Sequence, residues 1–128
     1  MSGARRFFRF GIAGAAGFIV DAGYLLVLTG PLGPVLGRVI SFTLAVVTTW
    51  LINRNFAFSD RPSGQKLHVE FGRYFGSMLV GGTANWAAYG LVLALLPPGP
   101  ALPLIGVAAG SVAGLVVNLT LAQRFVFR

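Results

Sequence analysis

Four long apolar stretches, divided by two Pro/Gly turns and one polar connection, limit what this chain can fold into. They run from about Phe7 to Thr29, Val35 to Ile52, Phe71 to Leu96 and Leu104 to Ala122. A bilayer core needs roughly 20 apolar residues per helix, and each stretch is of that order. "GPLGP" separates the first two and "PPGPALP" the last two; both are helix-stopping turn sequences without charge. The longer connection, "FAFSDRPSGQKLHVE", is polar, and its second half is expected to form a short helix at the interface. A soluble fold is excluded by composition. Only 10% of residues are charged and the mean hydropathy is +0.79, whereas soluble domains carry about 25% charged residues. The expected fold class is an all-α membrane protein with four transmembrane helices.

Charge fixes the expected orientation. Arg5, Arg6 and Arg9 lie at the N-terminus, Arg54, Arg61, Lys66 and Arg73 surround the polar connection, and Arg124 and Arg128 close the chain. Nine of the ten basic residues therefore fall on one side of a four-span arrangement. The positive-inside rule makes that side cytoplasmic, with both termini there. A basic start before an apolar run also fits a signal peptide, but the segment recurs later in the chain, which favours a span. The net charge of +7 does not indicate nucleic acid, because the basic residues flank apolar runs and form no polar face. The absence of cysteine excludes disulfides, thiolate metal sites and thiol catalysis.

The chain repeats itself. "RFGIAGAAGFIVD" (Arg9 to Asp21) aligns with "RYFGSMLVGGTAN" (Arg73 to Asn85) at an offset of 64. Gly37, Ser41, Ala45 and Thr49 align with Gly106, Gly110, Gly114 and Asn118 at an offset of 69, as do "FAF" and "FVF". Each half is a two-helix hairpin entering from the same side, so the repeat is parallel. Ala13, Gly17 and Asp21 are four residues apart and share a helix stripe, matched by Ser77, Gly81 and Asn85. Small residues at this spacing let helices approach closely in lipid. Asp21, Asn85, Thr49 and Asn118 continue these stripes and so point inward.

An ionisable group within a span costs about 2.5–3.5 kcal/mol on insertion scales and calls for a named partner. Arg38 is the other charge within a span. It lies about 5 Å below the outer end of its helix and Asp21 about 12 Å below the end of its own, at 1.5 Å per residue. An arginine side chain covers most of that difference. A structural ion pair and a polar cavity opening outward are both compatible with this placement. At the cytoplasmic ends, Asn53, Arg54 and Asn55 close the second stretch, and Gln123 and Arg124 the fourth. These serve either as interfacial anchors or as an anion site, since arginine donors match phosphate oxygens. No phosphate-binding loop, paired carboxylate or metal-ligand cluster is present in the sequence; His68 reads as solvated. No enzyme and no cofactor are expected.

On these residues the chain resembles the GtrA-like family of small bacterial four-helix membrane proteins. The resemblance rests on "RFGIAGAAGFIVDAG" and "TTWLINRNFAF", repeated as "RYFGSMLVGGTANWAAYG" and "NLTLAQRFVF". It implies one transmembrane domain over 1–128, with repeat halves of about 5–58 and 70–128. The implied function is translocation of a polyprenyl-phosphate-linked monosaccharide across the bacterial cytoplasmic membrane for cell-surface polysaccharide synthesis. Asp21, Asn53 and Arg54 fall on the family's polar positions, with Asn85, Asn118 and Arg124 on their second-half equivalents. Together with Arg38 and Thr49 these are the candidate substrate-binding residues. "AQR" departs from the family's more usual Asn-Arg-Arg run. Implied partners are the sugar lipid, membrane lipids and a membrane glycosyltransferase; a homo-oligomer fits so narrow a bundle. Two other classes remain. One is a non-transporting scaffold for the glycosyltransferase. The other is a proton-coupled exporter like the small multidrug resistance proteins, against which Arg38 argues, since a neighbouring cation favours the charged carboxylate.

Overall fold

The computed structural model describes all 128 residues, which form helices and no strand. Three long helical runs follow one another: α1 (Gly3–Asn55), α2 (Leu67–Leu95) and α3 (Leu102–Leu121), the last continuing into a π-helical turn at Ala122–Val126. All three are long and apolar enough to cross a membrane. Their outer faces suit lipid, with Leu26 84% and Trp86 80% exposed.

At 53 residues, α1 would reach about 80 Å if straight, more than twice a hydrocarbon core of about 30 Å. It is instead broken at Gly33, whose φ of 82° and ψ of 167° leave the helical region. The flanking sequence explains the break. Pro31 lacks the N–H for an intrahelical bond, Pro34 disfavours helical geometry at the residue before it, and only glycine adopts this φ without strain. The two arms, residues 3–32 and 34–55, then lie against each other, as the Arg9 bond to the Phe56 carbonyl at 2.9 Å attests. The turn expected over five residues is thus confined to one, and the four expected stretches appear as three runs, the first doubled back.

The polar connection also differs from expectation. Its second half forms no separate interfacial helix: α2 starts at Leu67 and continues unbroken, with the Val69 and Glu70 amides both bonded to the Lys66 carbonyl at 3.0 Å. Pro97 and Pro98 follow the end of α2, and Pro103 sits in the first turn of α3, where its missing N–H costs nothing.

Contacts divide the chain into two compact units, residues 1–71 with 127–128, and residues 72–126. In the first, Phe10, Ala13, Ala45, Val46, Ala57 and Phe58 are buried, and Phe58 stacks on Phe127 with ring centres 4.5 Å apart. In the second, Gly106, Gly110 and Gly114 of α3 are buried. The repeat is visible in equivalent contacts within each unit. The bond from Arg9 to the Phe56 carbonyl recurs as Arg73 to the Phe125 carbonyl at 3.3 Å. Gly17 faces Thr49 as Gly81 faces Asn118.

Candidate functional site

The first unit holds two polar clusters on one arm of α1. Near the Gly33 break, Arg38 Nη1 donates to both carboxylate oxygens of Asp21, at 2.6 and 2.5 Å. Ser41 Oγ donates to Asp21 Oδ1 at 2.8 Å. Arg38 and Ser41 are three residues apart and so share a helix face toward the opposing arm. Asp21 reaches them because Ala13 and Gly17, on its own stripe, are small and buried. The Asp21 side chain is 18% exposed and that of Arg38 53%, so the acid is enclosed while the guanidinium opens outward. The pair inferred from helix depth therefore forms, with Ser41 as a third member.

At the other end of the same arm, Trp50 and Arg54 lie four residues apart on one face. Trp50 Nε1 and Arg54 Nε both donate to Glu70 Oε1, at 2.8 and 3.0 Å. Ser63 Oγ donates to Glu70 Oε2. Glu70 stands in the first turn of α2 and is 1% exposed. A buried carboxylate is tolerable only when paired and hydrogen-bonded, and these three donors meet that need. The cluster forms part of the lining of a cleft of about 220 Å³, together with Asn55, Phe58, Ser59 and Pro62.

A third ion pair secures the connection itself. Arg6 Nη2 donates to Asp60 Oδ1 and Oδ2 at 2.9 and 2.8 Å, and Arg6 Nε donates to the Ala57 carbonyl at 3.3 Å. The hydrogen bond from Arg6 holds the Asp60 carboxyl below the usual carboxylate range. Each of the three acids thus pairs with one arginine.

The remaining candidates are distributed differently. Thr49 turns its methyl toward Gly17, while its hydroxyl donates to the Val46 carbonyl at 3.1 Å. Asn53 is 1% exposed, and its backbone carbonyl accepts from the Phe58 amide at 2.8 Å. In the second unit, Asn85 packs on Gly110 and Gly114, and Asn118 covers Gly81. Asn118 Oδ1 is buried there without a hydrogen-bond partner. Arg124 is exposed in the π-helical turn. The structure thus brings Asp21 to Arg38 and puts Arg54 in a cleft, while Thr49, Asn85 and Asn118 pack helices. Sequence reasoning missed Glu70, Trp50 and Ser63. One signal was available: Glu70 aligns with Arg6 at the offset of 64, so both repeats start with a charge at this position.

Comparison with known proteins adds one match. The family model described as "GtrA/DPMS, transmembrane domain" covers residues 9–127. No curated protein is significantly similar in sequence.

Proposed function

The chain belongs to the GtrA/DPMS transmembrane-domain family, and we propose that it carries a polyprenyl-phosphate-linked monosaccharide across the bacterial cytoplasmic membrane. It is a multi-pass membrane protein, and glycoconjugate synthesis is the setting its family suggests. The reading rests chiefly on the two arginines at opposite ends of one arm. Arg38 and Arg54 are separated by about 24 Å along the helix, comparable with a hydrocarbon core of about 30 Å. Both side chains are partly exposed, at 53% and 39%.

In this reading the two arms of α1 are the first and second crossings, α2 and α3 the third and fourth, and both termini are cytoplasmic. The phosphate first meets Arg54. The cleft beside it is smaller than pockets for drug-sized ligands, about 300–1,000 Å³, which suits a headgroup whose prenyl tail stays in lipid. Arg38 receives the phosphate near the outer face, and Asp21 accepts hydrogen bonds from sugar hydroxyls there. Arginine forks are well matched to phosphate oxygens at both stations. No bond of the substrate is made or broken, so the protein acts as a carrier and not an enzyme. A membrane glycosyltransferase supplies the loaded lipid, and consumption of the sugar outside drives net movement.

Proton-coupled export is disfavoured, because both oxygens of Asp21 are engaged by Arg38 and one of them also by Ser41. Reconstitution in liposomes tests the carrier reading. With a labelled polyprenyl-phosphate sugar placed inside, the protein should raise its rate of appearance at the outer leaflet, and Arg54→Gln should abolish the rise. Equal rates with and without the protein would refute transport and favour a scaffold for the glycosyltransferase.

A further inference from the structure

Glu70 is an unexpected neighbour for an arginine that binds phosphate. Its carboxylate is closed off by Trp50, Arg54 and Ser63. Arg54 meets it through Nε, which leaves the two terminal amino groups for the cleft. Arg54 and Glu70 are also the charged side chains of that lining. The cleft thus offers an oriented arginine fork in surroundings of zero net charge.

We propose that Glu70 makes the Arg54 cleft selective for singly charged phosphodiesters over doubly charged phosphate monoesters. The proposal deepens the carrier reading and rests on it. The attraction of an anion to the cleft grows in proportion to its charge, whereas the cost of removing it from water grows as the square. Beside a lone arginine the second charge gains enough to be welcome. Beside an arginine whose charge Glu70 already offsets it gains little and costs more. A single negative charge still receives the fork's two parallel hydrogen bonds. The loaded carrier lipid is a phosphodiester with one charge. The spent carrier is a monoester whose second ionisation lies near pH 6, about that of other phosphate monoesters. The cleft would therefore admit loaded lipid and reject spent lipid, so spent lipid does not compete for the carrier while consumption of the sugar outside drives net movement.

The recognised group, a phosphodiester, occurs in sugar carriers and in ordinary phospholipids, so the probes separate the two. Binding is measured by calorimetry on the purified protein in maltoside micelles, which contain no phosphate. The ligands are a short-chain isoprenyl phosphoryl glucose, the matching isoprenyl phosphate, and a short-chain phosphatidylglycerol. At about pH 8 both diesters should bind at least about fivefold more tightly than the monoester, and at about pH 5.5, where the monoester has lost its second charge, the gap should narrow to about twofold. Tighter binding of the glycosyl diester than of phosphatidylglycerol identifies the sugar carrier as the source; equal binding identifies any lipid diester, with the charge filter intact. In Glu70→Gln, checked for folding by circular dichroism, the monoester should bind at about pH 8 at least as tightly as the diesters. No preference in the wild type at the higher pH, a preference unchanged at the lower one, or one unchanged in a folded Glu70→Gln overturns the proposal. If that variant does not fold, the wild-type comparison at two pH values decides. Loss of selectivity would leave the liposome result standing, and absent transport with intact selectivity would overturn the carrier reading alone.

Discussion

Replacing Gly17 by alanine measures how closely the two arms of α1 are pressed together. A β-carbon there would lie 2.2 Å from Thr49 Cγ2, well inside the separation of about 3.5–4.0 Å at which carbons attract. The next atoms, the Ala45 carbonyl oxygen at 3.5 Å and Thr49 Cβ at 3.7 Å, are at ordinary contact. The conflict is therefore with a single methyl. Thr49 has little freedom to turn it away, because a β-branched side chain has few rotamers in a helix and its hydroxyl is bonded to the Val46 carbonyl. Overpacking of this kind costs about 1–3 kcal/mol, and the better helix propensity of alanine returns up to about 1 kcal/mol. Gly17→Ala should thus lose about 1–2 kcal/mol net.

Thr49→Ser removes the offending methyl and keeps the hydroxyl. Alone it should lose less than about 1 kcal/mol, since in lipid the methyl contributes packing and little hydrophobic drive. Combined with Gly17→Ala it should restore near wild-type stability, giving a coupling energy of about 1–3 kcal/mol in the double-mutant cycle. Unfolding of the four proteins in mixed detergent micelles, followed by circular dichroism, supplies the values. A neutral Gly17→Ala, or no rescue by Thr49→Ser, would refute the close approach at these residues.

Two further outcomes concern the polar groups. Installing the second half's residues in the first, as Asp21→Asn, Arg38→Val and Ser41→Gly together, should leave a folded protein by size exclusion and circular dichroism but abolish sugar transport in liposomes; retained transport would show that the cluster is not a station. Asp60→Asn should lower the melting temperature at neutral pH, by an amount that shrinks as pH falls below the usual carboxylate range, because a carboxyl depressed on folding stabilises above its unfolded pKa and loses that contribution as pH falls through the folded one. The depression comes first from the Arg6 hydrogen bond, so a deficit that does not shrink with falling pH would refute that role for the pair.

The hairpin stripes were legible in the sequence because close helix packing imposes a spacing of four on small residues, and Gly37, Ser41 and Ala45 are buried accordingly. The pairing of Asp21 with Arg38 was legible too, since helical rise converts sequence position into depth. Periodicity does not say which group on a side chain faces inward, so Thr49 read as an inward-pointing candidate for substrate binding although its methyl makes the contact. Glu70 was hidden for a different reason. In a polar connection it reads as solvated; it is enclosed because α2 begins at Leu67, and that extra turn brings it to Trp50 and Arg54. The one-residue break at Gly33 was equally hidden, since "GPLGP" locates a turn without giving its extent.

The repeat supplies its own control on what the charges are for. The second unit reproduces the close approach of Gly17 to Thr49 as Gly81 to Asn118, and the arginine bond to an aromatic residue's carbonyl. It does so with Asn85 where the first has Asp21, Val107 for Arg38, Gly110 for Ser41 and Gln123 for Arg54. A helical hairpin of this kind therefore assembles without any of these charges. Keeping Asp21 and Arg38 inside the first hairpin costs about 2.5–3.5 kcal/mol each on insertion scales before pairing offsets part of it. A merely structural pair would be replaceable by the arrangement already present in the second half, and paired charges are in general no more stabilising than well-packed apolar residues of similar size. This favours the proposed reading of Asp21 and Arg38 as a polar station that the packing tolerates. In the carrier reading the second unit is then chiefly a scaffold: Arg124, expected as the second-half equivalent of Arg54, aligns at the offset of 69 with Asn55, and Gln123 takes the place of the cleft's arginine. In that reading the cytoplasmic station is the cleft lined by Arg54 and by Glu70 from the first turn of α2.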